Sequence, residues 1–204
     1  MKVLKPRAKK IARGFFFGGM KTGVMNIVLI GYRCSGKTTV GKLLARDLKR
    51  EFLDTDRFIE GKTGLPIQLY VSQKGWRDFR AVEKEVVSHV ASRDDLVIAT
   101  GGGVVIDQGN VRNLKKNGWV VWLNTGVPVI RERMETAQKS GEFRPTLSGA
   151  DPLKEIDRIL HERTPVYALT SDYRVDTDRK NPEEAGHAIM KAFSHRYESH
   201  LGGE

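Results

Sequence analysis

With 204 residues and an apolar share of 39%, the chain can bury a proper core and fits one domain with room for a small insertion. No run approaches the ~18 continuous apolar residues of a membrane span, so a soluble protein with no membrane partner is expected. The net charge of +10 has the size of a nucleic-acid signature, but Lys2, Lys5, Arg7, Lys9, Lys10, Arg13 and Lys21 all fall within residues 1–25, where there is no acid, leaving +3 for the rest.

Residues 1–25 have neither helical nor strand period, and their one apolar cluster is Phe15-Phe16-Phe17. They match neither a secretory signal nor a transit peptide. Met20 and Met25 stand just ahead of the first strand, so the stretch reads as a disordered basic tail or a product of start-codon choice. The alternative is an arm that binds polyanions, making the chain a nucleic-acid-binding module. With a body charge of only +3, no nucleic-acid partner is expected.

Ile27-Val28-Leu29-Ile30 reads as a buried strand, and it runs into Gly31-Tyr32-Arg33-Cys34-Ser35-Gly36-Lys37-Thr38-Thr39. Strand, glycine-bearing turn and helix start together make this a phosphate cradle. Gly31 and Gly36 let backbone N–H groups converge on phosphate oxygens. Lys37 brings a charge to the β and γ phosphates, and Thr38 offers a hydroxyl to Mg²⁺. Cys34, Ser35 and Thr39 belong to the same loop. Cys34 is the one cysteine, so it forms no intramolecular disulfide and no metal pattern, and a reducing cytoplasm is the expected setting. Nearby positive charge could activate its thiol, although a small side chain tolerated in a turn is the simpler reading.

Val40, Leu43, Leu44 and Leu48 predict a helix to about Arg50, followed by a strand over Glu51–Asp56 that ends in two carboxylates. Alternation along an extended segment puts Asp54 and Asp56 on one side, where Mg²⁺ and a hydroxyl substrate are natural partners. Solvated loop acids are the plainer alternative. Residues 57–74 read as short helical pieces broken by Gly61, Gly64 and Pro66, a candidate mobile subdomain. From Trp76 a better helix carries Phe79, Val82, Val86, Val87 and Val90 on one face. Arg80 and Glu83 are spaced to pair, which taken alone suggests a surface salt bridge.

Leu96–Ala99 is the third strand, and Gly101-Gly102-Gly103 just beyond it implies close approach of a ligand or another backbone. Asp107 caps a helix to Lys116, with Gly118 as its terminator. Trp119–Leu123 is the fourth strand, and Pro128 opens a helix to about Met134. Residues 137–150 are polar and glycine-punctuated, as in a lid. Asp151-Pro152 starts another helix that Pro165 must kink or stop. Asp172–Val175 is the fifth strand, and Asn181-Pro182-Glu183-Glu184 starts the last helix.

Assembled in order, these residues resemble the shikimate kinase family, P-loop kinases of the nucleoside-monophosphate-kinase type. The resemblance covers about Asn26 to Phe193 and rests on GYRCSGKTTVG, DTD at 54–56, FRAVE at 79–83, GGG at 101–103, FRP at 143–145, RTPVY at 163–167 and VDTDRKNP at 175–182. It implies an α/β three-layer P-loop sandwich: a five-stranded parallel sheet flanked by helices, a small substrate-binding helical segment at about 57–93 and a mobile lid at about 137–150, all within a domain spanning 26–204. The implied activity is transfer of the γ-phosphoryl group of ATP to shikimate in a Mg²⁺-dependent step toward chorismate and the aromatic amino acids. Asp56 would bind the substrate hydroxyls and accept the proton, Arg80 and Arg163 would hold the carboxylate, and Gly101, Gly102 and Gly103 would present backbone to the ring. Thr38 and Asp54 would hold Mg²⁺, and Arg144 would close over the phosphates. Arg131 or Arg133, with Pro182, would border the adenine. A monomer is the family default. Cys34 departs from the glycine common at its position, and Trp76 from a common acid. A kinase of another small polyol acid such as gluconate is the nearest rival reading.

Overall fold

The computed structural model describes residues 25–139 and 152–201. Five strands form one parallel sheet: β1 (Asn26–Ile30), β2 (Glu51–Asp54), β3 (Leu96–Ala99), β4 (Gly118–Asn124) and β5 (Tyr173–Asp176). The spatial order is β2-β3-β1-β4-β5, with β1 central, Val28 opposite Ile98 on one side and Val120 on the other. The helices are α1 (Lys37–Leu48), α2 (Thr55–Thr63), α3 (Ile67–Ala91), α4 (Gln108–Lys116), α5 (Val127–Lys139), α6 (Pro152–Thr170) and α7 (Pro182–Leu201).

Because strand side chains alternate between faces, the continuous apolar run of β1 serves two cores. Ile27 and Leu29 pack with Val97, Val121 and Leu123 under Val40 and Leu44 of α1 and Ile189 and Phe193 of α7. Val28 and Ile30 point the other way, to Ile98, Val120 and Trp122, covered by Phe79, Val86, Val87 and Val90 of α3, Leu114 of α4 and Tyr167 of α6. The result is the three-layer sandwich. A third cluster, Tyr32 with Ile130 and Met134 of α5 and Ile156 and Ile159 of α6, lies beside the loop that follows β1. At Gly41 of α1 a Cβ would lie 2.5 Å from the Phe52 ring, so the helix rests directly on β2.

Local chemistry sets the boundaries. Lys49 in the left-handed region (φ 57) ends α1, its N–H donating to the Ala45 and Arg46 carbonyls. Asp107 caps α4 by accepting from the Asn110 N–H. Asn181 and Glu184 cap each other's backbone at the start of α7.

The structure departs from the sequence expectations at several points. The second strand stops at Asp54, whose side chain caps α2 by accepting from the N–H groups of Asp56 and Arg57. Asp56 therefore lies in the first turn of a helix, and the alternation argument does not apply to it. Gly61 does not interrupt α2, which runs on to a cap at Gly64. Helix α3 runs from Ile67 but is divided by a non-helical Gly75 (φ 83, ψ 167), so a separate helical stretch does begin at Trp76, as expected, with a shorter one from Ile67 ahead of it. Pro165 sits inside α6, which continues for five residues beyond it. Gly118 opens β4 instead of ending α4, and a Cβ there would lie 2.2 Å from the Leu114 carbonyl oxygen. The tail over residues 1–24 falls outside the described residues, as does the lid from residue 140; residues 137–139 belong to α5.

Candidate functional site

The loops after β1, β2 and β3 emerge side by side, because those strands are adjacent in the order β2-β3-β1. Together with the starts of α3 and α7 they enclose a cavity of about 1340 Å³. Its position, at the carboxyl ends of parallel strands, is where doubly wound sheets place ligands.

At one end is the turn Gly31–Gly36. Gly31 has φ 142, and a Cβ there would lie 2.6 Å from the Leu123 carbonyl oxygen, so only glycine fits. Gly36 (φ 96) and Cys34 (φ 60) also have positive φ, which turns the chain tightly ahead of α1. Cys34 adopts this conformation at a cost that glycine would not incur. Lys37 is nearly buried, its Nζ donating to the carbonyls of Gly31 (2.9 Å) and Tyr32 (2.6 Å). The hydroxyl of Thr38 donates to Asp54 Oδ2 at 2.8 Å, while Asp54 Oδ1 serves the N-terminus of α2. One carboxylate thus joins the start of α1 to the start of α2. Ser35 and Thr39 line the same end, and so does Pro182 at the start of α7.

Of the two candidate arginines on α5, Arg133 lines the cavity, donating to the carbonyls of Cys34 and Thr177, both at 3.2 Å. Arg131 pairs with Asp157 on the outer side, at 3.3 Å, and is absent from the cavity wall. The structure brings Arg133, and not Arg131, to the phosphate loop. Arg144 lies outside the described residues.

The other end is built around the triple glycine. A Cβ on Gly101 would lie 2.6 Å from Asp56 Oδ1, and one on Gly103 would lie 2.7 Å from an Arg80 nitrogen. The missing side chains give Asp56 and Arg80 room to approach. Arg80 Nη1 donates to Glu83 Oε2 at 2.7 Å, and its guanidinium lies over the rings of Trp76 and Phe79, 5.5 and 5.3 Å from their centroids. The pair is no surface salt bridge. Glu83 is 2% exposed, and burial pushes its carboxyl above the usual 4.5, opposed by the charge and hydrogen bond of Arg80. From α6, Arg163 Nη1 donates to the Gly102 carbonyl at 3.1 Å, so Arg80 and Arg163 reach consecutive glycines from opposite sides.

Sequence reasoning missed two supporting groups. Thr55 accepts from the Gly101 N–H at 3.0 Å, and the Tyr167 hydroxyl donates to Gly102. The Tyr167 signal was its spacing four residues beyond Arg163, which puts both on one helix face. Thr55 had no such signal.

Chemically, one end offers convergent N–H groups, an ammonium and a hydroxyl–carboxylate pair, and the other offers two guanidinium forks beside a carboxylate. That combination suits a phosphoanhydride donor and a small hydroxylated acid held close together. Among the described residues no group of three His, Cys, Asp or Glu side chains could hold a metal by itself, and no helix is long and apolar enough to cross a membrane.

The family model for shikimate kinase matches residues 33–194. A shikimate kinase of Moorella thermoacetica is 44% identical over 177 residues, covering 85% of this chain and 97% of its own length. One of Hahella chejuensis is 40% identical over 168 residues, covering 82% of this chain and 85% of that protein. A shikimate kinase structure from Acinetobacter baumannii in complex with shikimate superposes with a TM-score of 0.78 at 35% identity, covering 85% of this chain and 94% of that one. With the parallel-sheet order, the phosphate loop and near-full-length matches in agreement, this chain belongs to the shikimate kinase family.

Proposed function

We propose that the chain transfers the γ-phosphoryl group of ATP to the 3-hydroxyl of shikimate, giving ADP and 3-phosphoshikimate. The observation that carries this reading is that a single cavity contains both the phosphate loop and the wall formed by Asp56, Arg80, Arg163 and the three glycines. Family membership supports the donor and the acceptor alike.

The loop N–H groups and Lys37 hold the β and γ phosphates, with Gly36, Ser35 and Thr39 shaping the cradle and Arg133 and Pro182 bordering the base. Arg80 and Arg163 hold the shikimate carboxylate, and Asp56 orients the attacking hydroxyl and takes its proton. Transfer then depends on alignment and on charge stabilisation, the terms that dominate phosphoryl transfer. Arg144 is assigned to the transferring phosphate from the sequence motif. The hydroxyl of Thr38 and the carboxylate of Asp54, 2.8 Å apart, fit Mg²⁺, which takes few protein ligands and completes its shell with phosphate oxygens and water. When bound, Mg²⁺ neutralises charge on the β and γ oxygens. The protein acts as a monomer in the cytoplasm, with no nucleic-acid or membrane partner.

An ADP-release assay with shikimate, gluconate and nucleoside monophosphates as acceptors tests the proposal. Turnover with shikimate alone is expected; turnover with gluconate or a nucleotide in its place overturns the acceptor assignment.

A further inference from the structure

The mechanism above leaves Tyr167 without a role, although the cavity wall depends on it. Tyr167 is 1% exposed, and its ring lies nearly parallel to Trp122 of β4, with centroids 5.9 Å apart. Arg163 and Tyr167 stand four apart on α6, and both donate to the same acceptor, the Gly102 carbonyl, at 3.1 and 2.5 Å. A trans peptide directs its N–H opposite to its C=O, so fixing the Gly102 carbonyl toward α6 turns the Gly103 N–H away from that helix. Gly102 in turn lies against the phosphate loop, where a Cβ would come 3.3 Å from the Arg33 nitrogen. Burial holds the Tyr167 phenol up at about 12, so the hydroxyl remains a donor across the working range of the protein.

We propose that Tyr167 is a positioning residue for the acid-binding end of the cavity: its hydroxyl and the Arg163 guanidinium grip the Gly102 carbonyl together, which sets both the angle of Arg163 and the orientation of the glycine backbone toward the substrate. The assignment rests on the reading of Arg163 as a carboxylate ligand. Tyr167 does not touch the reacting atoms. A guanidinium tied to a carbonyl that a second donor also holds has less freedom to lose when it meets a carboxylate.

The test is Tyr167→Phe in the full chain, which removes the hydroxyl and retains the ring against Trp122. Expected is a rise in KM for shikimate of roughly five- to tenfold, the scale of one lost buried hydrogen bond, with KM for ATP unchanged. In an Arg163→Ala background the same substitution should cause a smaller loss in kcat/KM for shikimate than in the parent, because one of the two groups it positions is gone. An unchanged KM for shikimate, an equal rise for both substrates, or losses that multiply in the double variant overturns the proposal. If the functional reading itself is wrong, the unsubstituted protein fails to phosphorylate shikimate; if only the Tyr167 assignment is wrong, that activity remains.

Discussion

Arg80 is held on three sides, by the Glu83 carboxylate and by the rings of Trp76 and Phe79, so its guanidinium faces the glycine wall in one orientation. Asp56 occupies the space the missing Gly101 side chain leaves. Both lie at the glycine wall, the end of the cavity assigned to the acid. Replacing either with alanine should leave ATP binding by calorimetry in place while transfer to shikimate falls about 10²-fold or more. Equal turnover in both variants and the parent would sink the roles assigned to them. Glu83 makes a second, pH-dependent prediction. Its folded-state carboxyl titrates above the ordinary value, so the native state binds the proton more tightly than the unfolded chain does. Its favourable contribution is complete below about 4.5 and is lost as pH rises through the shifted value. Against Glu83→Gln, which does not titrate, the parent should lose stability in urea melts between pH 4 and pH 7; a parent that gains on the variant over that range would rule out burial as the dominant cause. The pairing of Arg80 with Glu83 was legible from their spacing. The burial was not, because Glu83 lies beside Gly101, remote in sequence, where a Cβ would come 3.5 Å from its Oε1.

Among the elements, α2 and α3 show how a glycine's effect depends on its place. Gly61 and Gly64 were both expected to break the helical pieces, yet Gly61 lies inside a regular helix and Gly64 caps it, while the break in α3 falls at Gly75. The backbone at Gly75 falls in a region nearly closed to other residues, although a Cβ would meet nothing within 4 Å. Gly75→Ala should accordingly cost about 1–3 kcal/mol in denaturant unfolding through conformation alone, and should raise KM for shikimate because Trp76 and Arg80 follow directly. No change in stability would mean the break relaxes without strain. Asp54 illustrates a different limit. An extended pattern and a helix cap share the same residues, and here the cap prevails, with Asp54 accepting from the Asp56 and Arg57 N–H groups. At Pro165 the helix was expected to kink or stop; it does not stop, and Arg163 and Tyr167, on either side of the proline, both bond to the Gly102 carbonyl. Spacing along α6 puts the two on one face but does not name the remote glycine they share. The apolar strands β1, β3 and β4, by contrast, were readable to within a residue at either end, whereas the more polar β2 stops two residues short of its expected end and β5 is shifted by one.

For the whole molecule, charge and topology lead to separate expectations. Seven of the ten net positive charges precede the first strand, whereas the phosphate loop and the glycine wall are built from residues that follow it. Deleting residues 1–24 should leave the thermal midpoint and kcat/KM for shikimate within about twofold of the full chain, well inside one hydrogen bond's worth of energy. A marked loss of activity would assign the tail to catalysis. The resemblance implied a five-stranded parallel sheet, but the strand order comes from the structure, because nothing in an apolar run names its neighbour. That order also governs when the site can exist during synthesis. β1 is made first but lies at the centre, and its earliest partner is β3: Asn26 receives the Leu96 N–H, 70 residues downstream. Its other partner, β4, is made later still. At ribosomal speeds of about 5–20 residues per second, the strand bearing the phosphate loop waits roughly 4–14 s for a neighbour. The segment encoded nearest the start of the folded body thus waits for partners made later, and a nascent chain stalled before Leu96, carrying the complete nucleotide motif, should bind ATP more weakly than the full chain.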